Sequence, residues 1–260
     1  MLGEAAIRIG AFVGVLAALG LGETLLPRRR LARPRFWRWL NNIGISSVST
    51  LAARLAVPLA PVALAAVCAE RGWGLFHLLG LPGWVSFLLA VAALDLAVYW
   101  QHRAFHAWLP LWRIHRMHHA DVDFDATTGI RFHPIEIAAS LVYKLGLVLA
   151  LGPSPAAVLT FEVLLNACSM FNHANMRLPL GLDRILRLVL VTPDMHRVHH
   201  STIPSETHAN FGFEFPWWDR IFKTYVPQPR DGHTDMKIGL NILRDERYSR
   251  LDQLLLIPFS

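Results

Sequence analysis

The sequence His196-Arg-Val-His-His200 repeats, with one residue changed, the earlier sequence His115-Arg-Met-His-His119. A shorter pair, His102 and His106, precedes both, and we call these three stretches the histidine boxes. On a helix, residues three and four apart share one face, so each longer box is predicted to present three imidazoles on one side. Together with His173, the boxes contain nine of the 13 histidines, which indicates a common role.

Nine imidazoles are more than one metal ion uses. An ion takes about four to six ligands, so nine ligands indicate two ions. Imidazole suits iron, zinc, copper and nickel, and the spacing alone does not choose among them. The sequence has no Glu-x-x-His motif, which excludes the carboxylate-rich di-iron bundle of soluble proteins. The predicted ligands are His102, His106, His115, His118, His119, His173, His196, His199 and His200.

A metal-bound imidazole needs a hydrogen-bond partner for its second nitrogen. Acidic residues close to the boxes are predicted to provide it: Asp121, Asp123, Asp125, Asp194 and Glu206, with Asp95 and Glu136 at helix ends. A second tier of site residues, around the ligands or on the substrate side, comprises His133, Asp95, Glu136, Asp194 and Asn175. The arginines inside the boxes, Arg103, Arg116 and Arg197, are expected to pair with lipid phosphates or carboxylates at the membrane interface.

The composition is that of a small membrane protein rather than a soluble domain. Of the 260 residues, 53% are hydrophobic and only 17% are charged, and the mean hydropathy is +0.36. The net charge of +6 could suggest nucleic-acid binding, but the arginines flank apolar stretches, as the positive-inside rule describes. Cys68 and Cys168 lie in apolar segments and form no disulfide framework or metal motif.

A bilayer core of about 30 Å needs about 20 apolar residues in a helix. Spans are predicted at residues 5–26, where we expect a retained helix rather than a cleaved signal, at 43–67 and at 84–100. Residues 134–151 and 155–171 form a helical hairpin that either crosses the bilayer or re-enters. The predicted fold is therefore an all-α polytopic membrane helix bundle of about four to five spans, or with a re-entrant hairpin.

Six arginines between positions 28 and 38 place that loop in the cytoplasm. Counting spans from this loop brings every histidine box to the same side, whereas His77 falls in a distal loop and is excluded from the site. The boxes are thus predicted in a cytoplasmic helical cap, with an interfacial helix at 180–191 and a helix beginning at Thr192-Pro193. We expect an integral protein of the inner membrane if bacterial, or of the endoplasmic reticulum if eukaryotic.

Several motifs between Asp95 and Tyr225 resemble the fatty acid hydroxylase / sterol desaturase family of integral membrane di-iron enzymes. They include Asp95-x-x-x-Tyr-Trp-x-His-Arg-x-x-His106, the two longer boxes, Asn210-Phe-Gly212, and Trp218-Asp-Arg-Ile-Phe-Lys-Thr-Tyr225. The resemblance assigns the metal ligands to the nine histidines named above. Lys223 departs from the pattern, since related proteins often have glycine there, and His208 is not expected from it.

The resemblance implies an O2-dependent enzyme with two iron ions that hydroxylates or desaturates an unactivated C–H bond of a membrane lipid, such as a sterol or a fatty acyl chain. Zinc is a substitute that the same ligands accept. The alternatives are a zinc-dependent membrane hydrolase or isomerase, and a non-enzymatic metal- or lipid-binding membrane protein.

The sequence has no dinucleotide fingerprint, haem motif or iron–sulfur cysteine pattern, so we expect a separate electron donor of the ferredoxin or cytochrome type and no nucleic-acid partner. The expected organisation is residues 1–83 for the amino-terminal transmembrane segments and basic loop, residues 84–226 for the catalytic domain, and residues 227–260 for a cytoplasmic or interfacial tail.

Overall fold

Helices form the framework of the computed structural model, which describes residues 2–260. The long helices are α1 (Leu2–Leu25), α2 (Arg35–Ala56), α3 (Pro61–Arg71), α5 (Gly83–Ala107), α6 (Leu109–His119), α7 (Pro134–Leu151) and α8 (Pro155–Asn172), with the short α4 (Leu75–Leu78) between α3 and α5. After α8 come α9 (Leu180–Leu186), α10 (Pro193–His199), α11 (Pro204–Thr207), α12 (Trp217–Ile221), α13 (Gly232–Asp235) and α14 (Leu251–Leu254). No strand occurs in residues 2–260, which confirms the all-α prediction.

Within residues 2–260, five segments are long and apolar enough to cross a membrane, in agreement with the predicted polytopic bundle. They are Gly3–Leu25, Arg35–Leu78, Gly83–Ala107, Pro134–Leu151 and Pro155–Asn172. The third of them extends seven residues beyond the predicted end at position 100, so that His102 and His106 lie on its last two turns. One continuous helix therefore connects the predicted membrane interior with the first histidine box.

The predicted span at residues 43–67 lies within a candidate span of the structure, but it is not one continuous helix. Helix α2 begins eight residues earlier, at Arg35, and ends at Ala56. The chain is then non-helical until α3 begins at Pro61, because Pro58 and Pro61 each lack the amide hydrogen that a continuing helix requires. The second candidate span is thus a broken helix.

Helix starts near the boxes follow the local sequence. The Thr192 hydroxyl accepts from the Met195 amide, and Pro193 occupies the first turn of α10, as predicted. In the same way Ser154 caps α8, with its hydroxyl accepting from the Ala157 amide. The predicted interfacial helix is shorter than expected: α9 ends at Leu186.

A buried ion cluster joins α2 to the loop that follows α6. The guanidinium of Arg38 lies 2.7 Å from Asp121 and 3.7 Å from Asp123, and it also pairs with Asp125. None of the three aspartates hydrogen-bonds an imidazole of the boxes in the described residues, so their predicted role beside the ligands was wrong. The physical reason is the burial of Arg38, whose charge requires carboxylates more strongly than a neutral imidazole does.

The carboxyl-terminal segment packs on the outside of α6 and α2. Ile257 and Leu254 are fully buried against Met117 and Ile45. Arg116 donates to the carbonyl oxygen of Ile257 at 2.6 Å and also bonds Ser260, so it anchors this segment. The segment thereby covers the back of the second histidine box.

Lys223, which departs from the family pattern, lies in a turn with a φ of 58°. This left-handed region costs a residue with a Cβ about 1–2 kcal/mol and favours glycine. The turn geometry is therefore one that favours the glycine which the resemblance leads us to expect at this position.

Candidate metal centre

All nine predicted ligand histidines lie together in the cap, and they divide into two clusters. The five-histidine cluster consists of His102, His106, His115, His119 and His199, and the four-histidine cluster consists of His118, His173, His196 and His200. Within each cluster the nearest ligand nitrogens all lie within 4.8 Å of one another. No side chain of the nine is more than 7% exposed, so both clusters are shielded from water.

Helices α5, α6 and α10 build the five-histidine cluster. His102 and His106 are one turn apart on α5, and their ring centroids are 5.1 Å apart. The ring of His199, from α10, lies 4.5 Å from His102 and 4.6 Å from His106. A pair from one helix is thus closed by a histidine that comes from almost a hundred residues away in sequence.

The four-histidine cluster centres on His173, the first residue after α8. Its Nε2 atom lies 3.0 Å from Nε2 of His118 and 3.1 Å from Nε2 of His200. Two nitrogens that bind one ion at about 2.1 Å and at right angles are about 3.0 Å apart. The spacing of these three nitrogens therefore fits a shared metal ion.

Each longer box contributes to both clusters. His115 and His119 belong to the five-histidine cluster, whereas His118 belongs to the other. In the last box the assignment is reversed, since His196 and His200 belong to the four-histidine cluster and His199 does not. Residues four apart project more nearly together than residues three apart. The expectation that all three imidazoles of a box act on one side was therefore wrong.

Acceptor oxygens fix the second ring nitrogen of four of the nine imidazoles. Nδ1 of His102 donates to the carbonyl oxygen of Phe211 (2.8 Å). In the same way, Nδ1 of His199 donates to the carbonyl oxygen of Ala209 (2.7 Å), and Nδ1 of His173 donates to that of Ser169 (2.7 Å). Because a carbonyl oxygen only accepts, each of these rings carries its proton on Nδ1 and turns the lone pair of Nε2 towards its cluster.

Glu136 orients the fourth of these rings. Its Oε1 lies 2.7 Å from Nδ1 of His115, which confines the free Nε2 of His115 to the cluster. The Nε2 atoms of His102, His115 and His199 are buried and have no hydrogen-bond partner in the described residues. Unpartnered, oriented and buried imidazole nitrogens are what a metal ion requires, so the residues fit the implied metals.

Burial keeps five of the clustered imidazoles neutral. Burial, and next the neighbouring imidazoles, lower the pKa of His118, His119, His196 and His200 well below the usual value. Burial lowers the pKa of His173 to about 3. A ligand must be deprotonated to bind a metal, so the cage needs no proton release from these rings at neutral pH.

The second tier of predicted site residues is mostly placed elsewhere. Glu136 is the member that hydrogen-bonds one of the nine imidazoles. His133 caps α7 by accepting from the amide of Ile135, and its Nε2 lies 3.3 Å from the Leu255 carbonyl oxygen. Asp194 pairs with Arg28 and Arg197. Their polar atoms satisfy buried helix ends and arginines, and in the described residues Asp194 makes no hydrogen bond to any of the nine imidazoles.

Asp95 and Asn175 support the site from a distance. Asp95 accepts from the amides of Glu214 and Phe215 and from the indole of Trp218 at 2.7 Å, and thus anchors the segment that follows Phe211. Asn175 bonds the backbone of Arg29 in the basic loop. In the described residues neither reaches an imidazole of the boxes. Glu206 likewise accepts from the Arg230 amide.

The sequence did not predict the backbone carbonyl oxygens that orient the imidazoles, nor the aromatic ring that stacks on His118. Phe132 lies flat against His118, with centroids 4.6 Å apart. The carbonyls of Ala209 and Phe211 are aimed by Asn210, which has a φ of 52° and bonds Met195 and Val226. Backbone carbonyls carry no residue-type signal, but the motif Asn210-Phe-Gly212 was the available sign of this turn.

A cavity of about 310 Å³ begins at the five-histidine cluster and runs between α2, α5, α7 and α8. His102 and His115 line one end of it, and apolar side chains such as Leu94 and Phe161 line its length. These helices are candidate membrane spans, so the cavity runs from the imidazoles into the apolar part of the bundle.

Replacing Glu136 by alanine is expected to lower metal occupancy or activity about 10- to 100-fold, because His115 loses the acceptor that orients its ring. Metal content of the purified protein, measured by mass spectrometry, checks this. Glu136→Gln keeps an acceptor oxygen and should restore part of the loss. Glu70→Gln, at an exposed position on α3, is the matched control; an effect equal to that of Glu136→Ala would contradict the assignment.

Comparison with known proteins finds one matching family and several lipid-oxidising relatives. The model of the family described as Fatty acid hydroxylase matches residues 87–224, more than half of the chain. An alkylglycerol monooxygenase from Danio rerio is 33% identical over 160 residues, which cover 60% of this chain and 34% of that protein. The alkylglycerol monooxygenase from Homo sapiens is 32% identical over 159 residues, covering 59% of this chain and 34% of that protein.

A longer match is found with ornithine lipid hydroxylase OlsE from Rhizobium tropici. It is 24% identical over 233 residues, which cover 87% of this chain and 69% of that protein. By contrast, this chain spans about a third of the length of the alkylglycerol monooxygenases. No solved structure matches the chain.

Proposed function

The chain belongs to the fatty acid hydroxylase family, and on that premise we propose that it is an O2-dependent di-iron enzyme that hydroxylates or desaturates a membrane lipid. The observation that carries the proposal is the division of nine buried imidazoles into two clusters. Each cluster has enough nitrogens for one ion, and two irons per chain would account for both. The names of the relatives, lipid monooxygenases and hydroxylases, support the reaction class.

When bound, the irons would supply O2 activation and cleavage of a C–H bond, and the protein supplies what surrounds them. His102 and His115 lie where the cavity meets the five-histidine cluster, so a hydrocarbon chain in the cavity presents a methylene group there. Burial of the nine ligands excludes water from the reacting groups. Glu136 and the carbonyls of Phe211, Ala209 and Ser169 hold the ligand rings in fixed orientations.

The reaction requires electrons from outside, and we propose a separate ferredoxin- or cytochrome-type donor that approaches from the cytoplasm. Arg33 binds the carbonyl oxygen of Arg244 at 2.7 Å, so the basic loop lies against the carboxyl-terminal segment. Arg30 and Arg247 are exposed on these two segments. A cationic surface of this kind favours an acidic donor and keeps the histidine side of the protein in the cytoplasm.

Lipid analysis of cells with and without the chain tests the proposal. We expect at least one lipid to gain one oxygen or lose two hydrogens when the chain is present. Purified protein loaded with iron should consume O2 with a reductant, whereas zinc-loaded protein should not. Product formation with zinc and without O2 would support a hydrolase or isomerase instead, and unchanged lipids would support a non-enzymatic binding protein.

A further inference from the structure

A layer of charged side chains lies inside the bundle, away from the histidines. Glu162 of α8 binds Arg8 of α1 at 2.6 Å and Lys144 of α7 at 2.7 Å, using a different carboxylate oxygen for each. Arg8 also pairs with Glu4 at 2.9 Å. These four charges compensate one another. Lys144 and Glu162 lie near the middle of candidate membrane spans, and Glu4 and Arg8 lie near the start of another. Ionisable residues are rare in such spans and usually functional.

Arg54, an exposed residue of α2, is a further cation that this layer does not compensate. It lines the 310 Å³ cavity and also a neighbouring cavity of about 280 Å³, which Arg8 and Glu162 line from the other side. Its side chain makes no hydrogen bond or ion pair with residues 3–260, and both oxygens of Glu162 are already bound to other cations. The two cavities therefore share one unpaired positive charge.

Two hydroxyl groups accompany this guanidinium. Ser46, Thr50 and Arg54 are spaced by four residues, so they follow one face of α2, and all three line both cavities. The guanidinium offers donors in a planar fork that matches a carboxylate or a phosphate. The hydroxyls add further donors along the same face.

On three helices, the charged residues lie at similar distances along the helix axis from residues beside the histidine clusters. Ser49 bonds the carbonyl of Phe132, which stacks on His118, and Arg54 follows five residues along α2, or about 8 Å. Lys144 lies eight residues from Glu136 on α7, or about 12 Å. Glu162 lies seven residues from Ser169 on α8, or about 10 Å. The cavity thus connects the metal centre with a cation on the order of 10 Å away.

We propose that Arg54 binds an anionic oxygen group of the lipid substrate, a carboxylate or a phosphate, at the end of the cavity opposite the histidines. The inference rests on the proposed function and names its substrate class: an anionic amphiphile. The carbon presented to the metal centre is then on the order of 10 Å from the anionic group of the lipid. The reason is that one end of the cavity holds the anionic group and the other end holds the carbon that reacts.

Binding of three probes of equal chain length tests the proposal without requiring turnover. Radiolabelled hexadecanoate, hexadecyl phosphate and hexadecanol are titrated onto the purified full chain in an uncharged detergent, with a scintillation proximity readout. We expect at least one anionic probe to bind about 10- to 100-fold more tightly than hexadecanol, as a charge-assisted hydrogen bond implies. Preference for hexadecanoate indicates a free carboxylate as the natural ligand, and preference for hexadecyl phosphate indicates a phospholipid-type group.

Variants of Arg54 test whether this residue is responsible for the tighter binding of anionic probes. Arg54→Gln should abolish the preference for anions, and Arg54→Lys should retain part of it. Because Arg54 has no partner in the described residues, neither change should alter the melting temperature. Arg71→Gln, at an exposed position outside both cavities, should behave as the unaltered chain. Equal binding of all three probes to the unaltered chain, or an unchanged preference in Arg54→Gln, would overturn the proposal.

The binding result and the catalytic result are separable. If the anion preference depends on Arg54 but no oxidised lipid forms with iron, O2 and reductant, the anion site stands and the proposed oxygenase function fails. If oxidised lipid forms but the anion preference is absent, the oxygenase function stands and the role of Arg54 fails.

Discussion

His118→Ala is expected to reduce lipid oxidation by more than about 100-fold and to lower the metal content from about two ions to about one per chain. Loss of an orienting neighbour of a ligand already costs about 10- to 100-fold, so loss of the ligand itself should cost more. His118 is chosen because its Nε2 lies 3.0 Å from that of His173 in the four-histidine cluster. Metal analysis by mass spectrometry and quantification of oxidised lipid measure the two effects.

The same experiment on the other cluster uses His199→Ala, which should likewise remove one ion. His77→Ala is the matched control, since His77 is exposed and remote from the boxes in the distal segment. Both ligand variants should still bind the lipid probes, because neither side chain lines the cavity. Full metal content in His118→Ala, or an equal loss in His77→Ala, would contradict the assignment of the clusters.

Alanine variants of His173 and His133, which both lie outside the boxes, should differ in metal content. His173→Ala should lose metal in the same way as His118→Ala, because three ligand nitrogens meet at His173. His133→Ala should keep both metals, since its ring caps α7 and contacts the Leu255 carbonyl instead.

Arg38→Ala is expected to destabilise the protein by about 3–5 kcal/mol, the largest stability effect that the structure indicates outside the metal centre. The change leaves the carboxylates of Asp121, Asp123 and Asp125 buried without their shared cation. The removal of one partner from a buried ion cluster costs more than the cluster contributes when intact. Thermal or denaturant unfolding in detergent measures the change. Arg30→Ala, at an exposed position in the loop that precedes α2, is the control and should change stability by less than about 0.5 kcal/mol.

The pH dependence of stability provides a second test of the ion cluster around Arg38. Burial raises the pKa of Asp121, but Arg38 and Arg131 outweigh burial and lower it to about 2. The folded-state pKa is below the unfolded value, so the contribution of Asp121 is present above about pH 4 and is lost as the pH falls towards 2. In Arg38→Ala the main cation is absent, and acid unfolding should begin at a higher pH. An unchanged acid transition would show that Arg38 does not hold this carboxylate.

Much of the metal centre was predictable from spacing. Helical periodicity places residues three and four apart within reach of one another, so each box identifies its own histidines as neighbours. The nine candidate ligands of the sequence are the nine histidines that the two clusters contain. Spacing accounts for the split within each longer box, since the histidines four apart stay together. It could not predict which of these pairs joins the same cluster as His102 and His106, because that depends on how α10 crosses α5 and α6.

The acidic residues show where sequence proximity misleads. Asp121, Asp123 and Asp125 follow the second box directly, yet they face Arg38, which is more than 80 residues away. A carboxylate in a buried loop binds the nearest buried cation, and the sequence alone does not reveal where that cation lies. Glu136 could be anticipated as the partner of an imidazole only because it begins a helix beside the cap.

The sequence by itself determined the all-α membrane bundle, the nine candidate ligands and their number, because hydropathy over about 20 residues and helical spacing are local properties. The tertiary structure alone decided the partition into two clusters, the carbonyl groups that orient the rings, the break in the second span, and the position of Arg54 in a cavity that leads to the histidines. The physical reason is that these features depend on which distant segments meet, and buried polar groups take the partners that packing brings within hydrogen-bonding distance.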